Sequence, residues 1–551
     1  MKKILTILIL LIPLLAHAQN KAERQEIISK TNVEVLEKKS IKAYGYEQTD
    51  KEIKIVNGKE YKVIRGPRPP IDYEKVQEKD YESAVLQIKI KPEKASEIPF
   101  KLIKASSKGY VETGIAGIDR LNKEFGANQY RPALWGLYQI KSKSLEYKDR
   151  HKAWGFHLWY KVTVSTKTDI IAAIKKYQAL DEVEIAEPIF KKRLYSIEND
   201  TIGNKGSKWT PNDTRYNEQW HYQNTAQTGG TVDCDIDLPE AWNIETGHSD
   251  VIVAIMDEGV QYDHPDIIDN MWPTIGPEGT TTTAGDHGTH VGGTVAAITN
   301  NGTGVAGVAG GTGAGDGTLG SGDGARLMTL DLFNGPLTYL EMATYAADNG
   351  AAISQNSWGY GAAGNYVQNE IDAIDYFNTN GGGSVLNGGI TIFAAGNDND
   401  NGEWWPGYYS EAMSVAATTH TDEKAWYSNY GSWLHISAPG GETATLQEGV
   451  LSTLSGDSYD FYQGTSMACP HVSGAAAVVV SYAHRNGVTL TNTELWNILV
   501  TTTDDHYPQN PSYTGDLGSG RLNLYNALLE TDNYLATDPP EIISISDNLI
   551  F

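Results

Sequence analysis

The hydrophobic pattern changes character along the chain. Four segments in the first 200 residues are amphipathic, with period two or helical spacing, and the pattern predicts strands at residues 85–90, 157–164 and 183–188 and a helix at 169–180. Later runs are continuously apolar. Residues 251–256 predict a strand of a parallel sheet that is buried on both faces, and Ala475–Val480 predicts a helix buried on every side. A small α+β module therefore precedes an α/β region.

The first residues form a targeting segment. Lys2 and Lys3 precede an apolar core over residues 4–15, and Ala16-His17-Ala18 follows it. This pattern is typical of a secretory signal peptide cleaved after Ala18. The core is too short to anchor the chain, and no other apolar run reaches the roughly 18–20 residues that a membrane helix needs. We expect a secreted protein, extracellular or periplasmic, without a membrane anchor.

Charge marks a boundary near residue 200. Residues 21–200 carry 35 Lys and Arg against 27 Asp and Glu, whereas residues 201–551 carry 7 against 42. Such a shift in composition separates domains. The basic excess of the first part is small and no reader motif accompanies it, so no nucleic-acid partner is expected.

Three separated motifs carry nucleophilic chemistry. Ser466 lies in a small-residue turn at the start of the buried helix. Capping of this helix is the alternative to a role as nucleophile. Asp257 ends the apolar strand, and His287 lies in a glycine-rich turn that enters a helix. A serine hydroxyl needs a base, and the base needs an orienting carboxylate, so these residues together predict a triad in the order Asp, His, Ser. His290 is expected to be a packed residue of the same helix.

The motifs around these residues resemble the subtilisin-like serine proteases, the subtilase or peptidase S8 family, and are closest to its thermitase-like branch. The resemblance rests on Asp257-Glu258-Gly259, His287-Gly288-Thr289-His290 and Gly464–Ala468, and it extends from about residue 211 to about 529. It implies a three-layer α/β fold with a mostly parallel, seven-stranded sheet. It also implies a serine endopeptidase acting on protein and peptide substrates through an acyl-enzyme.

The resemblance implies further site residues. Asn397 matches the oxyanion-hole asparagine. The walls of the substrate cleft are expected from Ser357, Trp358 and Gly359 on one side and from Ala394, Ala395 and Gly396 on the other. Trp358 is expected to narrow or cap the pocket, and residues 361–389 form a long insertion between the two walls.

The loop Thr299–Val305 resembles the calcium loop of this family, so the resemblance implies a structural Ca²⁺. Its ligands are expected from side-chain oxygens of Asp213, Asp266 and Asn301 and from backbone oxygens of Ile298, Thr303 and Val305. Six oxygen donors suit calcium, although an ordinary glycine turn would produce the same pattern.

The module before residue 195 resembles a propeptide that inhibits its own catalytic domain; a permanent N-terminal domain is the alternative. The expected organisation is a signal peptide (1–18), a polar pro-segment (19–82), the propeptide domain (83–195), a linker with the maturation cleavage (196–210), the catalytic domain (211–530) and a tail (531–551). A monomer with two free cysteines is expected. An inactive binding or scaffold protein and an esterase remain alternative functions.

Overall fold

The structure is a computed structural model that describes residues 49–68, 71, 73–140, 142–195, 197–198, 211–273, 284–311 and 323–535. The predicted signal peptide, most of the polar pro-segment, the linker apart from residues 197–198 and the tail after residue 535 lie outside the described residues. Contacts divide the chain into two compact units. One comprises residues 1–50 and 65–70, of which few are described; the other comprises residues 51–64 and 71–551 and carries both large hydrophobic clusters.

The N-terminal part is an α+β module with a five-stranded antiparallel sheet in the order β4-β5-β6-β3-β7. Its strands are β1 (Asp50–Val56), β2 (Lys59–Arg65), β3 (Tyr81–Ile90), β4 (Ile103–Lys104), β5 (Gln129–Pro132), β6 (Trp159–Thr163), β7 (Val183–Phe190), β8 (Lys192–Leu194) and β9 (Ile197–Glu198). Its helices are α1 (Ala116–Phe125), α2 (Trp135–Gln139), α3 (Lys148–Ala153) and α4 (Ile170–Gln178).

The four predicted segments of this module are confirmed. The helix starts where expected because the Asp169 side chain accepts a hydrogen bond from the Ala172 N–H at 3.0 Å. Two differences stand out. The first predicted strand begins at Tyr81 rather than Val85, and a β1–β2 hairpin forms in a segment expected to be loose. That hairpin turns at Asn57-Gly58, both at positive φ, a turn signal inside an otherwise polar stretch.

The C-terminal part is built on a parallel sheet in the order β11-β10-β12-β15-β16-β17. Its strands are β10 (Ile252–Asp257), β11 (Arg326–Asp331), β12 (Ile353–Asn356), β13 (Trp358–Tyr360), β14 (Leu386–Asn387), β15 (Ile390–Ala394), β16 (Met413–Thr418), β17 (Ile436–Pro439), β18 (Val450–Leu454), β19 (Ser458–Gln463) and β20 (Leu490–Thr491). Its helices are α5 (Leu238–Ala241), α6 (Asp286–Ala296), α7 (Tyr339–Asp348), α8 (Gln368–Asn380), α9 (Thr465–Arg485), α10 (Asn492–Thr501) and α11 (Leu524–Leu535). Within the described ranges the sheet has six strands where seven were expected.

Helices cover both faces of this sheet, which explains the continuous apolar strand. Val253 and Ile255 of β10 enter the cluster formed with α6, α9, α10 and α11, whereas Ala254 and Met256 enter the cluster formed with α7, α8 and the N-terminal module. The α9 helix is buried from Thr465 to Ser481, as its Ala and Val content predicts. The three-layer α/β fold is therefore confirmed.

Two further expectations can be checked in the described part of the chain. Cys234 and Cys469 are both buried free thiols. No helix in the described ranges combines the length and apolar character required to cross a bilayer.

Candidate active site

The carboxyl edge of the sheet brings the three predicted residues of the triad to one place. Asp257 is the last residue of β10, His287 is in the first turn of α6 and Ser466 is in the first turn of α9. His287 Nδ1 donates to Asp257 Oδ1 at 2.7 Å, and both side chains are buried. The Glu258 N–H also donates to Asp257 Oδ1, at 2.8 Å. This carboxylate therefore fixes the imidazole tautomer that leaves Nε2 as the basic nitrogen.

Ser466 lies beneath a segment of the chain's own N-terminal module. Its hydroxyl donates to the Ser357 carbonyl at 3.0 Å and accepts the Tyr195 N–H at 3.2 Å. The Ser357 hydroxyl in turn donates to the Ser466 carbonyl at 2.9 Å, which holds the start of α9 against the end of β12. The serine is fully buried with residue 195 directly above it.

Asn397 is oriented by its neighbour on α9. The Thr465 N–H and the Thr465 hydroxyl both donate to Asn397 Oδ1, at 3.0 and 2.8 Å, so the amide nitrogen Nδ2 points the other way. A Cβ atom placed on Gly464 would lie 3.1 Å from Asn397 Nδ2 and 2.2 Å from the Tyr195 carbonyl oxygen. The amide nitrogen and that carbonyl oxygen therefore both border the space beside Gly464 that a side chain would fill.

The segment that covers Ser466 is extended on both sides of Tyr195. Before it, β8 pairs antiparallel with β13, with Leu194 opposite Trp358 and Lys192 opposite Tyr360. After it, β9 pairs antiparallel with β19. The chain thus crosses the site as an added strand, in the way that protein grooves bind peptides through main-chain hydrogen bonds.

The Tyr195 side chain fills a buried pocket. A Cβ atom on Gly359 would lie 1.9 Å from the Tyr195 phenolic oxygen, and one on Gly396 would lie 3.4 Å from the ring carbon Cζ. Tyr195 itself is 3% exposed, and burial raises the pKa of its phenol. Gly359 and Gly396, two of the expected wall residues, therefore border the pocket. Because they have no side chains, they leave a space that an aromatic ring fills.

Two other expected wall residues, Ala394 and Ala395, are buried. The Ala395 carbonyl accepts from Asn429 Nδ2 at 2.9 Å, and Ala394 ends β15 as a buried residue. Trp358 is also buried, and its ring packs against the rings of Tyr339 and Phe393, with centroids 5.1 and 5.3 Å away. That Trp358 narrows or caps the pocket stays a prediction. The insertion over 361–389 contains the helix α8 (Gln368–Asn380).

The other histidines near the site are packed residues. His290 Nε2 donates to the Val450 carbonyl at 3.0 Å and its ring stacks on Tyr462, and burial lowers the pKa of His290 to about 3. His471 Nδ1 donates to the Met467 carbonyl at 2.7 Å, while its Nε2 lies 2.7 Å from His221 Nδ1. This buried histidine pair supports α9, and no sequence motif pointed to His221.

The expected calcium ligands are gathered in one loop. Asp266 Oδ1 accepts from Asn301 Nδ2 at 2.7 Å and its Oδ2 accepts from the Val305 N–H at 2.9 Å. Asp213 accepts from the Asn300 and Asn301 N–H groups at 2.6 and 3.4 Å. Burial raises the pKa of each of these two carboxyls to about 7. Neither forms an ion pair with a Lys, Arg or His among the described residues, so this buried oxygen-rich donor set fits a hard cation.

A second group could hold a metal ion. The possible ligand atoms of His248, Asp250 and His484 lie within 4.8 Å of one another. Within the described ranges, no other group of three or more His, Cys, Asp or Glu side chains has this spacing. Asp250 is exposed, and His484 Nε2 lies 3.2 Å from its carboxylate.

Several residues of the groove were not anticipated. Tyr195 contacts Ser466, and Lys192 pairs with Glu370, which also accepts from the Tyr360 hydroxyl. Arg193 pairs with Asp398. The separation of these residues along the chain hides the contacts from any local pattern. The one available signal was the position of Tyr195, at the end of the module and the start of the polar linker.

Comparison with known proteins identifies relatives of part of this chain. The model of the subtilase family matches residues 248–520. The chain is 32% identical over 337 residues to the thermophilic serine proteinase of Bacillus sp. (strain AK1), an alignment covering 58% of this chain and 69% of the relative. It is 34% identical over 254 residues to thermitase of Thermoactinomyces vulgaris, covering 45% and 80%. The crystal structure of fervidolysin from Fervidobacterium pennivorans, a keratinolytic enzyme related to subtilisin, aligns with a TM-score of 0.50 at 22% identity over 83% of this chain and 62% of that one, a likeness of fold.

Proposed function

This chain belongs to the subtilase family of serine proteases, and we propose that it is a secreted, calcium-binding endopeptidase made as a zymogen that cuts itself after Tyr195. The observation that carries the proposal is the position of Tyr195. Its N–H lies 3.2 Å from Ser466 Oγ, its carbonyl oxygen and Asn397 Nδ2 border the same space beside Gly464, and its flanking residues pair with the groove on both sides.

The proposed reaction begins when Ser466 Oγ bonds to the Tyr195 carbonyl carbon. The hydroxyl proton, which points to the Ser357 carbonyl, goes to His287 Nε2, and Asp257 stabilises the imidazolium through the 2.7 Å hydrogen bond. Asn397 Nδ2 donates to the carbonyl oxygen as it becomes negative, an interaction that strengthens as charge develops and is commonly responsible for about 10²–10³-fold in turnover.

The intermediate then collapses. The bond between the Tyr195 carbon and the next residue's nitrogen breaks, and His287 gives its proton to the leaving amine. A water molecule attacks the acyl-enzyme with His287 again as base, which releases the Tyr195 carboxylate and restores the Ser466 hydroxyl. The N-terminal module ends at the cleaved bond, so its product strand still occupies the groove and inhibits the enzyme until it dissociates.

Calcium would be held by the side chains of Asp213, Asp266 and Asn301 with the carbonyls of Ile298, Thr303 and Val305. When bound, it would supply the positive charge that two buried carboxylates lack and so stabilise the loop that precedes β11. Its role is structural.

The test is mass spectrometry of the purified chain with Ca²⁺, beside Ser466→Ala. We expect the wild type to yield a new N-terminus at Ser196 and the variant to stay full length. If both remain intact and casein is not degraded, the endopeptidase function is wrong and the scaffold alternative gains support. Cleavage of both proteins at Ser196 would assign maturation to another protease.

A further inference from the structure

The groove holds a buried ion pair at the fourth residue before the proposed cleavage. Lys192 Nζ lies 2.7 Å from Glu370 Oε1, and the side chains are 14% and 6% exposed. In the β8–β13 register Lys192 is opposite Tyr360, three residues before Tyr195. The N-terminal module therefore presents a lysine at a defined position of the strand that crosses the site.

The pocket around this ammonium belongs to the C-terminal part. Glu370 is in the first turn of α8, where the helix dipole favours the ionised carboxylate. Its second oxygen, Oε2, accepts from the Tyr360 hydroxyl at 2.6 Å, which leaves Oε1 directed at Lys192. Lys192 Nζ also lies 5.5 Å from the Trp358 ring and 5.8 Å from the Tyr360 ring, close enough for cation–π attraction. A carboxylate and two aromatic faces thus converge on one cation.

The neighbouring position gives an internal comparison. Arg193 pairs with Asp398 and lies over the Trp404 ring. The side chains of the ion pair, Arg193 and Asp398, are 38% and 27% exposed. An exposed pair in high dielectric contributes little to binding, whereas a buried, hydrogen-bonded pair discriminates strongly because the wrong partner leaves a buried charge uncompensated. The position of Lys192, rather than that of Arg193, should therefore determine selectivity.

We propose that Glu370 makes this protein select substrates with lysine four residues before the cleaved bond, combined with an aromatic residue directly before it. The proposal rests on the proposed endopeptidase function and names its substrate class. When the N-terminal module dissociates, Lys192 leaves with it, while Glu370 and its hydrogen-bond partner Tyr360 remain in the C-terminal part. A substrate lysine replaces Lys192 there, and a neutral side chain of the same length leaves the carboxylate without its counter-charge.

The first experiment compares two peptides in the processed enzyme, Lys-Arg-Leu-Tyr-p-nitroanilide and the same peptide with norleucine in place of lysine. We expect kcat/KM to favour lysine by about tenfold or more. In Glu370→Gln the ratio should fall towards one, whereas in the control Glu530→Gln, which removes a carboxylate from α11, it should persist. Equal rates for the two peptides in the wild type, or an unchanged lysine preference in Glu370→Gln, would overturn the proposal.

A second measurement does not depend on turnover. In the full chain carrying Ser466→Ala, the thermal midpoint is measured for Lys192→Met, Glu370→Gln and the double variant. We expect the double variant to lose less than the sum of the single losses, because the pair is already broken. If the losses in thermal midpoint were additive, the proposal that Glu370 binds a lysine in this pocket would be wrong. If no peptide is cleaved but this coupling is present, the endopeptidase function fails and the lysine-binding pocket stands.

Discussion

At the scale of single residues, the Tyr195 pocket is created by a missing side chain. Gly359 lies on β13, and its backbone is in a region that alanine adopts freely, so its importance is steric. A Cβ atom there would overlap the phenol, being 1.9 Å from the oxygen and 2.6 Å from Cζ. The neighbouring Gly361 offers a matched position, since a Cβ atom on it would have no atom within 4 Å.

This geometry predicts a change of specificity for Gly359→Ala. Relative to a substrate with alanine before the cleaved bond, kcat/KM for one with tyrosine should fall by about 5- to 100-fold, because overpacking a filled pocket costs about 1–3 kcal/mol. Paired peptide kinetics measure the ratio. Gly361→Ala should leave the ratio as in the wild type, and an unchanged ratio in Gly359→Ala would show that the tyrosine side chain binds elsewhere.

At the scale of elements, the loop after α6 depends on two buried carboxylates. Folding raises the pKa of Asp213 and of Asp266 from 3.8 to about 7 because burial disfavours the charged form. A raised carboxyl pKa means that the native state binds protons more tightly than the unfolded state. Without a cation, this contribution to stability is fully present below about pH 4 and is lost as the pH rises through about 7.

A cation should reverse that loss, because it binds the ionised carboxylates. We predict that EGTA lowers the thermal midpoint by about 5–10 °C at pH 8 and by much less at pH 5. Differential scanning calorimetry at both pH values measures the effect. In Asp266→Asn the midpoint should no longer respond to EGTA; an equal response in this variant would exclude the loop as the calcium site.

At the scale of the whole molecule, charge separates into complementary parts. The ion pairs between the N-terminal module and the later part join a basic residue of the module to an acidic partner: Lys192 with Glu370, Arg193 with Asp398, Arg131 with Glu341 and Arg150 with Asp348. This arrangement follows the opposite net charges of the two halves of the sequence. Hydrophobic contact adds to it, since residues of the module and of α7 and α8 share one cluster.

One contact in this interface places an acidic residue of the module, rather than a basic one, against the later part of the chain. Glu187 of β7 is 1% exposed, accepts the Gln368 N–H at 3.1 Å and accepts from Gln87 Nε2 at 2.8 Å. The carboxylate lies at the N-terminus of α8, yet burial dominates and raises the pKa of Glu187 from 4.5 to about 8. Association of the module should therefore take up a proton.

We predict that the released module inhibits the processed enzyme less tightly as the pH rises from 6 to 9. The contribution of Glu187 to binding is complete below about pH 4.5 and is lost as the pH passes about 8. Inhibition constants across this range measure the slope. Glu187→Gln should flatten it, whereas Glu184→Gln, which changes an exposed residue of the same strand, should not; an identical slope in all three would assign the pH dependence to other groups.

Much of the architecture was contained in local pattern. The apolar run at 251–256 and the Ala and Val content of 475–480 identified the central strand and the buried helix, because burial on all sides leaves no polar period. The sequence motifs also predicted Asp257, His287 and Ser466 as a triad, and the structure places each of them at the end or in the first turn of an element. The hairpin at residues 50–65 was missed because only its Asn57-Gly58 turn distinguishes it from a loose polar segment.

The proposed substrate groove could be found only from the tertiary structure. Tyr195, Lys192 and Glu370 are separated by up to 178 positions, and only the pairing of β8 with β13 brings them together. Trp358 was expected at the pocket because of its place in a motif, whereas its aromatic neighbours Tyr339 and Phe393 come from other elements and only the folded chain brings them to it. A sequence records which groups can react or carry charge, whereas selectivity depends on distances between distant segments and on the water they exclude, which arise only when the chain folds.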